Sequence, residues 1–456
     1  MHPWSRNCRN LILSITAILL PLPHAAGQTL SLAEAVSRAL ERNPELAAVQ
    51  PEGEAARLDF RAAAAGYLPR LDFEQSYLAG NNPVFVFSTL LTQNRFTSDH
   101  FALPALNSPS AEDNLQTRVT VQQMIWDFGR TGSRRDQAEA GVKIADLSYE
   151  ATRLRVLLDV FKSYYGVSLA RASLETARLA LRSAEAIEGR AQAHVDSGTA
   201  VEADLLRSRV YLAAARQQEI EAQGRLKSAE AQLNRLMANE LGNPVGETIP
   251  LMPRSIPLPP EEILVEEQKR HRPDYASLLT AVQAAETEVR ARRKEFLPLI
   301  SGYGTWEMDN PSLSDYGADN WAAGVTLQWN LFAGGADAAR RDAAGKRLLQ
   351  RKLQAKAMES GMALEIHNAL IQCRSAEQQV AAAEAAEAQS EEGVRILKNR
   401  YEAGLATMTD LLSVETERSA ARTALAEAIY RQRVSYAQME YAAGILSPAS
   451  ESMNLK

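Results

Sequence analysis

Residues 115–125 read Leu-Gln-Thr-Arg-Val-Thr-Val-Gln-Gln-Met-Ile, a run of period two in which Leu115, Thr117, Val119, Val121, Gln123 and Ile125 alternate with Gln116, Arg118, Thr120, Gln122 and Met124. Successive side chains of a strand point to opposite faces, so the run predicts a strand with one apolar and one polar face. Similar alternation marks Leu71–Tyr77 and Trp321–Leu331, while Leu299–Met308 alternates less cleanly. Strands of about ten residues with aromatics near their ends are the weak signature of a membrane β-barrel. Two hairpins packed on a soluble core would give the same alternation. Four strands cannot close a barrel, which takes about eight, so a barrel would need several chains.

The strands are embedded in segments of another kind. None of the 19 prolines falls in Ser110–Asn243 or Ser312–Ser447, and both windows are rich in Ala, Leu, Glu, Gln and Arg. Proline breaks helix interiors and these residues favour them, so both windows can hold very long helices. The first predicts helix over about 133–196 and 201–241 around Gly198; the second runs from Gly334-Gly335 to about 402, then from 407 to 441 around Gly404. A helix of some 60 residues reaches about 90–100 Å. Apolar or small residues recur in alternating steps of three and four at Leu205, Ser208, Leu212, Ala215, Ala222, Leu226, Ala229, Leu233 and Leu236, with Glu219 breaking the seam. That heptad period implies left-handed supercoiling against neighbouring helices. In the second window Val414, Ala421, Ala428, Ser435 and Ala442 form a column of mostly small residues that admits close helix approach.

The chain is an internal duplication. A shift of 206 residues lays Ser197-Gly198-Thr199 on Ala403-Gly404-Leu405, Asp204-Leu205-Leu206 on Asp410-Leu411-Leu412, and Val119-Thr120-Val121-Gln122 on Val325-Thr326-Leu327-Gln328. Near the N-terminus the shift becomes 229, matching Tyr67-Leu68-Pro69 to Phe296-Leu297-Pro298, so the first copy holds 23 extra residues between Leu78 and Asn114. The expected organisation is a leader over 1–27, a first repeat over 28–241, a proline-rich connector over 242–260, a second repeat over 261–446 and a tail over 447–456. The leader follows from Arg6 and Arg9, an apolar run over Leu11–Leu22, then Pro23 and the small residues Ala25, Ala26 and Gly27, a secretory layout. Later segments lack the roughly 18 consecutive uncharged apolar residues of a spanning helix, so membrane entry would have to be through strands.

Composition excludes other classes. The 456 residues carry a formal net charge of −6, which leaves no basic surface suited to nucleic acid. Cys8 and Cys373 sit in no CxxC motif, and His100, His194, His271 and His367 are scattered without an HExxH, so no metal centre, cofactor site or catalytic constellation is expected. Gly302–Gly304 has no phosphate-loop context and reads as a bend in a strand. Arginine runs such as Arg134-Arg135 and Arg340-Arg341 read as solvated helix faces, with contact to lipid headgroups as the alternative near strand ends.

The export leader, the duplicated order of short helices, strands and long helical hairpin, and the Gly-x5-Asp-Leu-Leu turn at Gly198 and Gly404 together resemble the TolC-like outer-membrane efflux proteins over essentially the whole mature chain. The resemblance implies an α+β membrane protein. Three chains would each give four strands to one 12-stranded outer-membrane barrel and their helices to a periplasmic tube. It further implies that the helices over about 44–66 and 201–241 stack end to end against the long helix, and that the stretch from Asn82 to Phe87 belongs to a long first external loop. The function implied is that of a passive exit duct, not an enzyme, fed by an inner-membrane pump through a periplasmic adaptor, with outer-membrane lipid as the other partner. Adaptor docking would fall on the tips Ser197, Gly198, Thr199, Ala403, Gly404 and Leu405. A Tyr–Asp hydrogen bond that holds such tips shut maps to Tyr401 and Asp204, and a ring of carboxylates at the pore mouth maps to Asp410. A second latch arginine is replaced by Ala406 and a second gate aspartate by Ser413. Asp204 and Asp410 also suit a simpler role, negative charge at a helix N-terminus. The competing classes are a periplasmic coiled-coil spacer and an adaptor, neither of which needs duplicated strand pairs.

Overall fold

The computed structural model describes residues 29–453, and the expected leader lies outside them. The first half contains α1 (Leu32–Arg42), α2 (Pro44–Ala64), β1 (Arg70–Gly80), α3 (Pro83–Thr92), α4 (Leu103–Asn107), β2 (Glu112–Trp126), α5 (Arg130–Asp196) and α6 (Glu202–Leu236). The second contains α7 (Glu261–His271), α8 (Pro273–Lys294), β3 (Leu299–Asn310), β4 (Ala318–Gln328), α9 (Ala336–Glu402) and α10 (Met408–Ala442). The order repeats, except that α3 and α4 have no counterpart in the second half and occupy the extra residues of the first.

The proline-free windows become two 67-residue helices, α5 and α9, each about 100 Å long. Helix α5 starts at Arg130, three residues before the expected Ser133, because Asp127 accepts hydrogen bonds from the backbone N–H groups of Gly129, Arg130 and Thr131 and so satisfies donors that the first turn leaves free. Helices α6 and α10 pack against α5, α9 packs against α10, and α2 and α8 both lie on α5 with α8 also on α9. The result is a slab of helical columns in the order α9, then α8 in line with α10, then α5, then α2 in line with α6.

The end-to-end stacking expected for the short helices is observed, and polar side chains make its joints. Asn43 is 2% exposed; its Oδ1 accepts from the Glu45 N–H at 2.8 Å to cap α2, and its Nδ2 donates to the Leu236 carbonyl at 2.9 Å, the last residue of α6. Gln268 of α7 does the corresponding work at the other joint, donating to the Ala442 carbonyl that ends α10 at 2.9 Å and to the Met362 carbonyl at 3.0 Å. Along α6 the heptad positions are buried or half-buried as the seam requires, and Glu219, which interrupts it, pairs with Arg178 of α5 at 3.4 Å.

A core of Phe161, Tyr164 and Tyr165 from α5, Leu32, Val36 and Ala39 from α1, and Leu233 and Leu236 from α6 lies near these joints. The connector after α6 wraps this core as an extended strap whose backbone is paired by side chains. Tyr164 Oη donates to the Leu30 carbonyl at 2.8 Å and accepts from the Ile249 N–H at 3.0 Å, Arg171 donates to the Val245 carbonyl at 2.7 Å, and Arg433 donates to the Met252 carbonyl. Such pairing substitutes for a sheet or helix ladder in a segment too proline-rich to form one.

The four strands form one antiparallel sheet in the order β1-β2-β3-β4. Strand β4 ends at Gln328, short of the expected Leu331; Trp329 leaves the ladder and its indole N–H donates to the Phe296 carbonyl at 3.0 Å. The register aligns Phe73, Val119, Trp306 and Trp321 in one row and Leu71, Val121, Gly304 and Ala323 in another, both on the same face. β3 alternates weakly in sequence because Gly302 and Gly304 stand on that apolar face; at Gly302 the vacated volume is approached by Ile125, whose Cδ1 would lie 3.3 Å from an added Cβ.

Candidate functional site

The sheet's two faces are chemically opposite. On one, Leu71, Phe73, Trp321 and Val325 are each at least two-thirds exposed, an arrangement suited to lipid. On the other, Glu74, Arg118, Glu307 and Asn320 fall in one cross-strand row. Arg118 Nε donates to Glu307 at 2.7 Å, its Nη1 lies 3.8 Å from Glu74, and its Nη2 donates to Gln116 at 2.9 Å. Two residues along, Asn114 and Gln116 donate to Asp309 Oδ1 at 2.6 and 3.1 Å. A hydrogen-bonded lattice of charges and amides facing away from the apolar side is what a water-filled interior requires.

At the far ends of the long helices the two tip turns are near copies. Gly198 and Gly404 have φ of +71° and +73°, where side chains are strained, and nothing lies within 4 Å of where a Cβ would sit. At the first tip the Gly198 N–H donates to the Val195 carbonyl and the Thr199 N–H to the His194 carbonyl, both at 2.9 Å; at the second, Gly404 and Leu405 donate to Tyr401 and Arg400 at 3.0 and 2.8 Å. This is the pattern by which a left-handed residue closes a helix C-terminus. Ser197 and Thr199 hydroxyls both fold back onto the His194 carbonyl, whereas Leu405 points out and is 68% exposed.

Of the expected latch and gate residues, Tyr401 and Asp204 come near one another without a hydrogen bond. Burial first, and the nearby Asp204 carboxylate second, raise the Tyr401 phenol above its ordinary pKa. The Tyr401 ring packs edge-on to His194, with centroids 6.3 Å apart. Asp204 lies 3.8 Å from Arg207, and Arg207 crosses to Thr409 of α10 at 3.0 Å, a polar link between the hairpins that no motif in the sequence marks. Asp410 is engaged at its own helix start. Its Oδ2 accepts from the Thr407 hydroxyl at 2.7 Å and the Thr407 N–H at 2.9 Å, and the Thr407 hydroxyl accepts from the Asp410 N–H at 3.2 Å. This reciprocal cap, led by the Thr407 hydroxyl, holds the Asp410 carboxyl below the usual carboxylate range. Further from the tip, Glu415 of α10 is 4% exposed, accepts from Ser183 of α5 at 2.9 Å and pairs with Arg418. Burial, with the Glu415 charge as the second cause, pushes the neighbouring Tyr211 phenol up to about 12. Nothing marked Glu415 in the sequence, since a helical Glu reads as solvated.

A family model described as outer membrane efflux protein matches residues 35–239 and again 264–445. The chain belongs to that family. As an outer membrane efflux protein it resembles the alkaline protease secretion protein AprF of Pseudomonas aeruginosa, 26% identical over 92% of this chain and 85% of that protein. It also resembles the cation efflux system protein CusC of Escherichia coli K12, 23% identical over 90% of this chain and 85% of that one. The outer membrane channel CmeC of Campylobacter jejuni superposes with a TM-score of 0.79 over 92% of this chain and 87% of its own, at 19% identity, and so shares the fold. This efflux protein is accordingly an outer-membrane channel component, its helices extending into the periplasm. Among its described residues no helix is long and apolar enough to cross a membrane; the lipid-suited surface is the apolar face of its sheet.

Proposed function

We propose that three copies close into a ring and that the assembled duct passively conducts what an inner-membrane pump delivers through a periplasmic adaptor. Support comes chiefly from the sheet, whose polar Arg118 row and apolar Phe73–Trp321 row lie back to back on strands continuous with 67-residue helices. Among the described residues both sheet edges, β1 and β4, are unpaired, and pairing β1 of one copy with β4 of the next satisfies them. Both outer edges of the helical slab also carry exposed apolar residues: Leu206, Val210 and Ile220 on α6, and Leu349, Leu353 and Leu364 on α9. Two different edges make a head-to-tail interface, which closes as a ring of three when each copy is rotated by a third of a turn from the last.

The tips Ser197–Thr199 and Ala403–Leu405 are proposed to receive the adaptor, the glycines allowing close backbone approach. Asp204, Tyr401 and Asp410 are proposed to form the pore mouth, with Asp410 acting as a charged cap rather than a free carboxylate. The named relatives serve protease secretion and cation efflux, and the duct proposed for this chain serves one of these two kinds of export. The test is reconstitution into planar bilayers together with cross-linking in cells from Thr199→Cys and Leu405→Cys. Steady conductance and tip cross-links to a periplasmic protein are expected; a silent bilayer and cross-links confined to this chain would refute the reading.

A further inference from the structure

The first β-hairpin carries what the second lacks: α3, a short turn over Ser98–Phe101, and α4, together spanning the extra residues of the first copy. They form a packed unit. Phe96 stacks edge-on with Phe87 at 4.9 Å and with Phe101 at 5.1 Å, and Asn82 caps α3 by accepting from the Val84 and Phe85 N–H groups. The unit is tied to one side of the sheet. Gln93, 2% exposed at the end of α3, donates to the Asp113 carbonyl at 2.8 Å and to Asn114 Oδ1 at 3.0 Å, and Asn114 in turn donates to Asp309. Arg95 pairs with Glu112 at 2.9 Å, and Phe85 lies 3.5 Å from where a Cβ on Gly80 would sit. Asn114, Asp309, Glu112 and Gly80 all belong to the polar face by register, and α3 reaches across to touch β4 as well as β2.

These anchors lie at the end of the sheet remote from the long helices, which in an outer membrane efflux protein is the extracellular end. In a closed barrel the polar face bounds the lumen, so a unit fastened to that face stands in the mouth of the channel. Helix α3 buries Val86, Leu90 and Gln93 and leaves Val84, Ser88 and Leu91 exposed on the opposite side. We infer that α3 and α4 form an inward-folded collar that narrows the extracellular mouth and limits the size of what leaves, with Val84 and Leu91 presenting an apolar constriction to the pore. Apolar constrictions raise the barrier to hydrated ions, and a packed collar excludes bulky solutes. The inference rests on the channel reading, since the polar face bounds a lumen only if the barrel closes.

The test uses the full-length protein with Thr305→Cys, a mid-wall position on the polar face between Thr120 and Ala322. Native Cys373 is fully buried and adds no background, and Cys8 belongs to the expected leader. Trimers in outer membranes are treated from outside with a small charged methanethiosulfonate and with a bulky poly(ethylene glycol) maleimide. With the collar intact, the small reagent labels Thr305→Cys and the bulky one does not. Two variants open the mouth: one replaces residues 81–111 with the short connection 311–317 of the second hairpin, and the other, Gln93→Ala with Arg95→Ala, cuts only the anchors. Each is expected to speed bulky labelling by about tenfold or more, a barrier lowered by about 1.4 kcal/mol. Equal bulky labelling in all three proteins overturns the collar, as does continued exclusion in both variants while trimers persist. Trimers in which even the small reagent cannot reach Thr305→Cys would refute the channel reading itself.

Discussion

Asn43 offers a test of how the short helices are spliced into full-length columns. It is buried at the junction of α2 and α6, capping one helix through Oδ1 and completing the other through Nδ2. Asn43→Ala removes an N-cap worth about 1 kcal/mol and leaves the Leu236 carbonyl buried without its donor, which costs about 1–3 kcal/mol more. The sum, about 2–4 kcal/mol, falls on local opening of the joint. Amide hydrogen exchange on purified trimers reads it directly: the Ala47 N–H, bonded to the Asn43 carbonyl at 3.0 Å, and the Met237 N–H, bonded to Leu233 at 3.1 Å, report the two helix ends. Exchange there should accelerate by roughly 30- to 1000-fold while the mid-helix amides of α5 stay protected. Asn43→Ser, which keeps a capping oxygen but loses the reach to Leu236, should recover about 1 kcal/mol of this. Exchange at both helix ends changed by less than about threefold would refute the splice as the source of local stability.

Tyr164→Phe should free two backbone partners, the buried Leu30 carbonyl and the half-buried Ile249 N–H, at a cost of about 2–4 kcal/mol, seen as faster proteolysis of the strap between α6 and α7. Arg118→Gln should leave Glu307 and Glu74 without their cation and raise the cation-to-anion permeability ratio in bilayers; an unchanged ratio would place that row away from the pore. Asp410→Ala should lower cation selectivity at the tip, and unchanged selectivity would remove Asp410 from the pore mouth. Because the folded carboxyl of Asp410 titrates below its unfolded value, the cap it forms is fully present above the ordinary carboxylate range and is lost only as pH falls through the depressed value. Thr407→Val removes the largest cause of that depression, so the tip's acid transition should move to higher pH, read as its cation selectivity against pH.

The long helices and the duplication were legible because they depend on patterns that survive in one dimension: proline exclusion over more than a hundred residues, a heptad seam, and a fixed shift between copies. Strand existence was legible for the same reason, but the facing was not complete. The glycines at 302 and 304 hide the apolar face of β3 in sequence, and only the register shows which face they stand on and that Ile125 of β2 leans over Gly302. Contacts that join distant segments left no local trace. Asn43 to Leu236, Arg207 to Thr409 and Ser183 to Glu415 each pair residues whose own surroundings look like ordinary helix. The tip glycines were legible because a positive φ nearly dictates the residue, and of the Tyr401–Asp204 pair the sequence specifies proximity without specifying a bond. The inferred collar was visible in sequence as 23 surplus residues and, by resemblance, as a long first external loop from Asn82; that it folds inward rests on Gln93 and Arg95 reaching the polar face.

The duct reading requires that one chain supply a third of a closed conduit. The protein mass and three-fold symmetry of the full chain, purified from outer membranes in mild detergent and imaged as single particles, measure that requirement most directly. The expected particles contain three chains, each at most 50.0 kDa, and are tubes with a detergent belt at one end and a threefold-symmetric density in which β1 of one copy meets β4 of the next. Monodisperse monomers that need no detergent, with both sheet edges free, would contradict it.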